Sequence, residues 1–216
     1  MKPWSYNHPK AALMARKRAA ILGAARAQFL ESGYAGTSME SIAKSANVSI
    51  MTLYRHAETK DALFAAVIAT ACQPGNAEDQ AELEKVLTLP LPDVLLHSAL
   101  HIQEILTRGD TIALIRVVIS EVGQFPHLAE LAYQGFIVRP QDITAQVLSQ
   151  IPETSTLHAS ARQELGRVFV DRIVGPPLLR VLLGLPVPDR SESQRRAELA
   201  RDAVLDALRL SNGATY

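Results

Sequence analysis

What this chain has little of narrows its chemistry first. Its 216 residues hold one cysteine, Cys72, so an internal disulfide is excluded and a reducing, cytoplasmic setting is expected. No histidine or asparagine surrounds Cys72 in a nucleophile pattern, and it reads as a small apolar residue. No apolar run approaches the roughly 18 residues that cross a bilayer. The opening MKPWSYNHPK lacks the apolar stretch of a secretory signal, so no membrane association is expected. Glycine-rich phosphate loops and nucleophile elbows are missing. An enzyme is poorly supported, and no cofactor is expected. Strand signals are scarce too: valine and isoleucine gather only in IRVVIS, a short run whose flanks read as helix.

Net charge is also missing, but only in total. Residues 1–72 hold nine lysines and arginines against four acids, a net +5, and the remainder holds thirteen against eighteen, a net −5. A basic front attracts a polyanion and an acidic back stays off it.

What is present is helix. Residues 1–13 read as a flexible arm and 14–32 as a first helix with Ile21, Leu22, Ala25 and Phe29 on one face, ending at Gly33. Arg16, Lys17 and Arg18 load its first turn, against the helix dipole; solvent or phosphate offsets them. Thr37 with Glu40 reads as a capping box for a two-turn helix carrying Ile42 and Ala43. Asn47 suits a left-handed residue at its end. Ser49 caps a second short helix over 50–56, in which Leu53 faces the core. Two short helices joined by a tight turn make a helix-turn-helix. A fourth helix starts after Thr59, and Gln73-Pro74-Gly75 closes the segment.

In such a motif the second helix enters the major groove. Ile50, Met51, Tyr54 and Arg55 are left facing out, where apolar side chains can meet thymine methyls. Thr52, Tyr54 and His56 can donate to phosphate oxygens. Lys60, a cation in a helix's first turn, and Thr37 and Ser49 at helix starts, suit phosphate or serve only as caps.

Residues 16–72 resemble the DNA-binding domain of the TetR family of bacterial transcriptional regulators. The likeness is carried by ILGAARAQFLESGYAGTSMESIAKSANVS and TLYRHAETKDAL. It implies that Thr52, Tyr54, His56 and Lys60 contact phosphate and that Ile50 and Met51 occupy specificity positions. Asn47 replaces a usual glycine, Ala57 a common phenylalanine, and Ile50-Met51 a frequent Lys-Gly pair. Beyond residue 77 only helices are read, at about 91–107, 111–123, 126–136, 140–151, 157–183 and 189–210, the penultimate one kinked at Gly175-Pro176-Pro177. LIRVVISEVGQFPHLAELAYQGF and VGPPLLRVLLGLP resemble TetR regulatory domains. That resemblance implies a small-molecule effector and a homodimer through the last two helices. VFVDRIVGPPLLRVLLGL is itself too apolar for a lone surface helix.

The expectation is therefore an all-α protein. An N-terminal three-helix, helix-turn-helix DNA-binding domain (14–72) precedes an all-helical regulatory and dimerisation domain (77–216). The function expected is a ligand-responsive repressor on a palindromic double-stranded DNA operator. The alternative is an all-helical metal-binding protein or enzyme centred on His97 and His101, four apart with Glu104 a turn on. No general base lies between those histidines, and a plain helix face or pocket wall is favoured, with no metal. His127, in a helix's first turn, is given no special role.

Overall fold

The structure, a computed structural model, describes residues 9–71 and 85–213, with side chains for 13–71 and 85–210. Expectations for residues 1–8, for Cys72 and for Pro74-Gly75 lie outside the described residues. Among the described residues there are helices and no strand. In chain order they are α1 Pro9–Gly36, α2 Met39–Ser45, α3 Ile50–His56, α4 Lys60–Ala71, α5 Leu91–Thr107, α6 Gly109–Glu121, α7 His127–Tyr133, a π turn Gln134–Val138, α8 Arg139–Gln150, α9 Pro152–Ser155, α10 Ala159–Leu182 and α11 Arg190–Gly213. They form two compact units: the described residues up to Thr70 with Ala113–Ala132, and Ala71–Ile112 with the described residues from Tyr133 onward. The sequence placed one boundary near Pro74. It gave no reason to return Ala113–Ala132 to the first unit.

In the first unit, α1 starts at Pro9 rather than at residue 14, because proline is tolerated in a first turn and Ala11, Ala12 and Leu13 favour helix. Gly33 breaks it, with φ 71° and ψ 177°. A Cβ at Gly33 would lie 2.5 Å from Glu121 Oε1, and that oxygen accepts the Ala35 N–H at 3.2 Å. The capping box lies one residue later than expected. Ser38 caps α2 and Ser41 answers it. Thr37 instead turns inward, and its hydroxyl donates to Gly33 O at 2.7 Å and Gln28 O at 3.1 Å. The Thr37 hydroxyl thereby gives the last turns of α1 a partner from outside the helix. Asn47 does take the left-handed conformation, φ 52°, and Ser49 caps α3. Ile21, Ala25, Phe29, Ile42, Leu53, Leu63, Phe64 and Ile68 fill the core, with Phe29 edge-on to Phe64 at 4.8 Å.

In the second unit α10 packs along α8 and α11. The close approach of α10 to α8 needs Gly166, where a Cβ would stand 2.5 Å from Gln141 O. Leu95, Ala99, Leu148, Phe169, Val170, Ala197, Ala200 and Val204 form the core. Buried Gln103 donates to Ser193 O at 3.1 Å and so ties α5 to α11. The kink at Gly175 is present, at φ −14° and ψ −135°, with Pro176 and Pro177 inside the helix. The π turn and short α9 have no counterpart in the periodicity reading.

Candidate nucleic-acid interface

α3 is anchored on one side and open on the other. Leu53 is fully buried, and Ala57, which stands in place of a common phenylalanine, is buried too. Thr52 is buried at the start of α3. Its hydroxyl lies 2.9 Å from Ser49 Oγ, its N–H donates to Ser49 Oγ at 3.2 Å, and it accepts from Arg55 Nη2 at 3.4 Å. Thr52 and Ser49 therefore stiffen the entry to α3. Met51 is 71% exposed and Tyr54 42%, Arg55 is exposed, and Ile50 is half-buried. A thioether, a phenol and a guanidinium on one open helical turn match a groove-facing surface, with apolar groups for thymine methyls and donors for phosphate.

With α1 starting at Pro9, Lys17 and Arg18 lie about two turns into the helix rather than in its first turn, and their charge reaches this surface. Burial foremost, and then the charges of Arg18, Arg55 and Lys17, hold the His56 imidazole below its ordinary pKa. Four cationic or titratable groups from two helices thus share one field, a concentration of positive charge suited to a phosphate backbone. Residue spacing alone left Arg16, Lys17 and Arg18 evenly balanced between solvent and phosphate.

Lys60 and Thr37 do other work here. Lys60 Nζ donates to Tyr34 O at 2.9 Å and Thr37 O at 3.0 Å, and sits 4.3 Å from the Tyr34 ring centre. Of its three N–H donors, two are committed to the end of α1. Tyr34 in turn donates its hydroxyl to Asp61. Burial, and then that neighbouring carboxylate, push the phenol's pKa well up. His127 Nε2 lies 3.3 Å from the same Asp61 oxygen, and Phe125 and His127 both meet the Tyr34 ring edge-on, at 5.1 and 5.9 Å. His127 therefore has a role that its own neighbourhood in the sequence did not signal. Its partners lie more than sixty residues away in the chain.

The arrangement has known counterparts. The family profile of bacterial regulatory proteins of the tetR family matches residues 21–67, and that of the C-terminal domain of AefR-like transcriptional repressors matches residues 93–209. The chain belongs to the TetR family of bacterial transcriptional regulators. A search of curated protein sequences finds no match. Among solved structures, the chain is similar to a flavonoid-responsive regulator, FrrA, at 28% identity and TM-score 0.60, covering 89% of this chain and 97% of that one. It shares its fold with a TetR-family regulator from Mesorhizobium loti MAFF303099 at 24% identity and TM-score 0.64, over 89% and 96% of the two chains. A TetR regulator from Agrobacterium tumefaciens shares it at 23% and 0.62, over 88% and 93%.

A second site lies wholly within the C-terminal unit of this TetR regulator. Between α5 and α8 is a cavity of about 410 Å³, walled by Val94, Leu95, Ile105, Val147 and Leu148 and edged by His97, His101 and Glu104. Such a volume is within the usual range for small-molecule pockets, about 300–1,000 Å³. The metal alternative finds no support: among the described residues, no three His, Cys, Asp or Glu groups come together to hold an ion. His97 instead places Nδ1 2.8 Å from Asp93 O, within its own helix. Among the described residues no helix is long and apolar enough to cross a membrane.

Proposed function

We propose that this TetR-family protein is a homodimeric, non-enzymatic repressor that binds a palindromic operator through α3 and leaves it when a small molecule fills the cavity between α5 and α8. One observation carries the reading. The exposed turn of Met51, Tyr54 and Arg55 lies in the same positive field as Lys17, Arg18 and His56. Ile50 and Met51 read bases. Tyr54, Arg55 and His56 set the register on phosphate, Ser49 and Thr52 position the helix, and Thr37 and Lys60 hold the end of α1 against α4, with one Lys60 N–H left for phosphate. Dimerisation uses α10 and α11. Leu179, Leu183, Leu185, Val187 and Leu199, all more than half exposed on or between these helices, are an apolar surplus that a second copy covers. Twofold symmetry then sets half-sites about 34–36 Å apart, or a multiple of that.

Effector and operator prefer different states of the protein, so binding one weakens the other by the same factor. The test is fluorescence anisotropy on the protein's own promoter fragment across a salt series, with sedimentation for the oligomer. A dimer with steep salt dependence is expected. Arg55→Ala lowers the slope of log affinity against log salt by about 0.9, and Tyr54→Ala weakens binding at every salt. A monomer, or equal affinity for promoter and unrelated DNA, refutes the reading.

A further inference from the structure

The cavity's polar lining selects the chemistry of its ligand. We infer that it takes an apolar, non-anionic molecule that donates hydrogen bonds, a ring-bearing hydroxyl compound being the simplest case. This rests on the reading of the cavity as the effector site.

Five polar side chains line the cavity: His97, Ser98, His101, Glu104 and Thr144, with neither lysine nor arginine among the lining residues. Three of them can be read as acceptors. The Thr144 hydroxyl spends its proton on Pro140 O at 2.8 Å, so its oxygen can only accept from a ligand. His97 Nδ1 faces the Asp93 carbonyl at 2.8 Å. A carbonyl only accepts, so Nδ1 carries the proton, and in the neutral form of the ring Nε2 is the accepting nitrogen. The Glu104 carboxylate accepts only. A carboxylate or phosphate ligand would bring acceptors to these three acceptors, beside Glu104, with only the Ser98 hydroxyl and a His101 N–H to meet it and no guanidinium or ammonium to pair it. Its charge loses hydration there without a cation to offset it. A hydroxyl meets partners instead, and the remaining wall (Val94, Leu95, Ile105, Ile143, Val147, Leu148) is apolar.

Isothermal titration at about pH 8, above the ordinary imidazole range, with three matched probes decides this: 4-phenylphenol, its methyl ether, and biphenyl-4-carboxylate. The phenol is expected to bind about tenfold tighter than either of the others, one well-made hydrogen bond's worth. His97→Phe, at an exposed position that keeps the ring, and Thr144→Val each narrow the gap between phenol and ether, and Val147→Phe weakens all three probes. Carboxylate binding as tight as the phenol, no binding by any probe, or an undiminished phenol preference in both His97→Phe and Thr144→Val overturns the inference. Operator anisotropy on the same samples separates the two readings. Phenol preference without operator release upholds the ligand class and sinks the effector role. Salt-dependent operator binding without phenol preference does the reverse.

Discussion

Lys60→Met tests whether this lysine is first a structural clamp. In the free protein Nζ makes two charge-assisted hydrogen bonds, to Tyr34 O and Thr37 O, and rests on the Tyr34 ring. Hydrogen bonds to charged groups contribute about 1.5–3 kcal/mol each when buried. Lys60 is half-exposed, so solvent screening reduces that to about 1 kcal/mol each. The ring contact adds about 0.5 kcal/mol at such a site. Methionine keeps the stem and leaves both carbonyls without this donor, so the unit containing α1–α4 should lose about 2–3 kcal/mol. Urea unfolding followed by far-UV circular dichroism reads the loss. A variant within about 0.5 kcal/mol of wild type refutes the clamp. The salt slope of operator affinity then shows what the third N–H does. If that N–H meets a phosphate, Lys60→Met lowers the slope by about 0.9; a pure clamp leaves it unchanged.

His56 gives a pH signature of known sign. Its folded pKa lies below the unfolded one, so the unfolded chain binds more protons, and the stability His56 contributes above about pH 6.5 is lost as pH falls through that value toward the folded pKa. Operator phosphate favours the imidazolium, so affinity rises as pH falls over the same window; anisotropy from about pH 8 to 6 should show a slope that His56→Gln flattens, and equal slopes in the two proteins would count against a phosphate-facing His56. Gly166→Ala gains about 1 kcal/mol of helix propensity but drives a Cβ to 2.5 Å from Gln141 O, and overpacking costs about 1–3 kcal/mol. A net loss in urea unfolding is expected, and a gain would refute the close approach of α8 and α10.

The helix-turn-helix was legible because its determinants are local. Asn47 in the left-handed region, Ser49 as cap and Leu53 turned inward are set by neighbours within a few residues. The kink at Gly175 was legible for the same reason: a glycine followed by two prolines leaves few other conformations. Where local signals competed, the reading slipped. Thr37 and Ser38 are both good caps, and Thr37 is the one that turns inward, onto the carbonyls of Gln28 and Gly33. The bonds of Lys60 to the carbonyls of Tyr34 and Thr37, more than twenty residues earlier, have no signal in its own neighbourhood of the sequence. The cavity was out of reach, since apolar residues that line a space and those that fill it look alike in a helical pattern.

The return of Ala113–Ala132 to the first unit carries a prediction of its own, because it makes the DNA-binding unit incomplete as a contiguous stretch. Tyr34 packs on Phe29 and Phe64 from its own stretch, but its remaining edge contacts come from Phe125 and His127. An aromatic pair adds about 0.5–1.5 kcal/mol beyond its buried area. The half-exposed Asp61–His127 pair adds about 0–1 kcal/mol, and the Ala35 N–H to Glu121 bond about 1 kcal/mol. A fragment ending at residue 72 forfeits all of these, about 2–5 kcal/mol from a unit whose short chain is marginal to begin with. Hydrogen exchange at the amides of Ile42, Leu53 and Phe64 measures it. Protection in the fragment should fall by roughly thirtyfold or more relative to the full chain, and Phe125→Ala in the full chain should reproduce part of the fall. Equal protection in fragment and full chain would mean that the Tyr34 cluster stabilises nothing, and that residues up to 72 are sufficient for the fold by themselves.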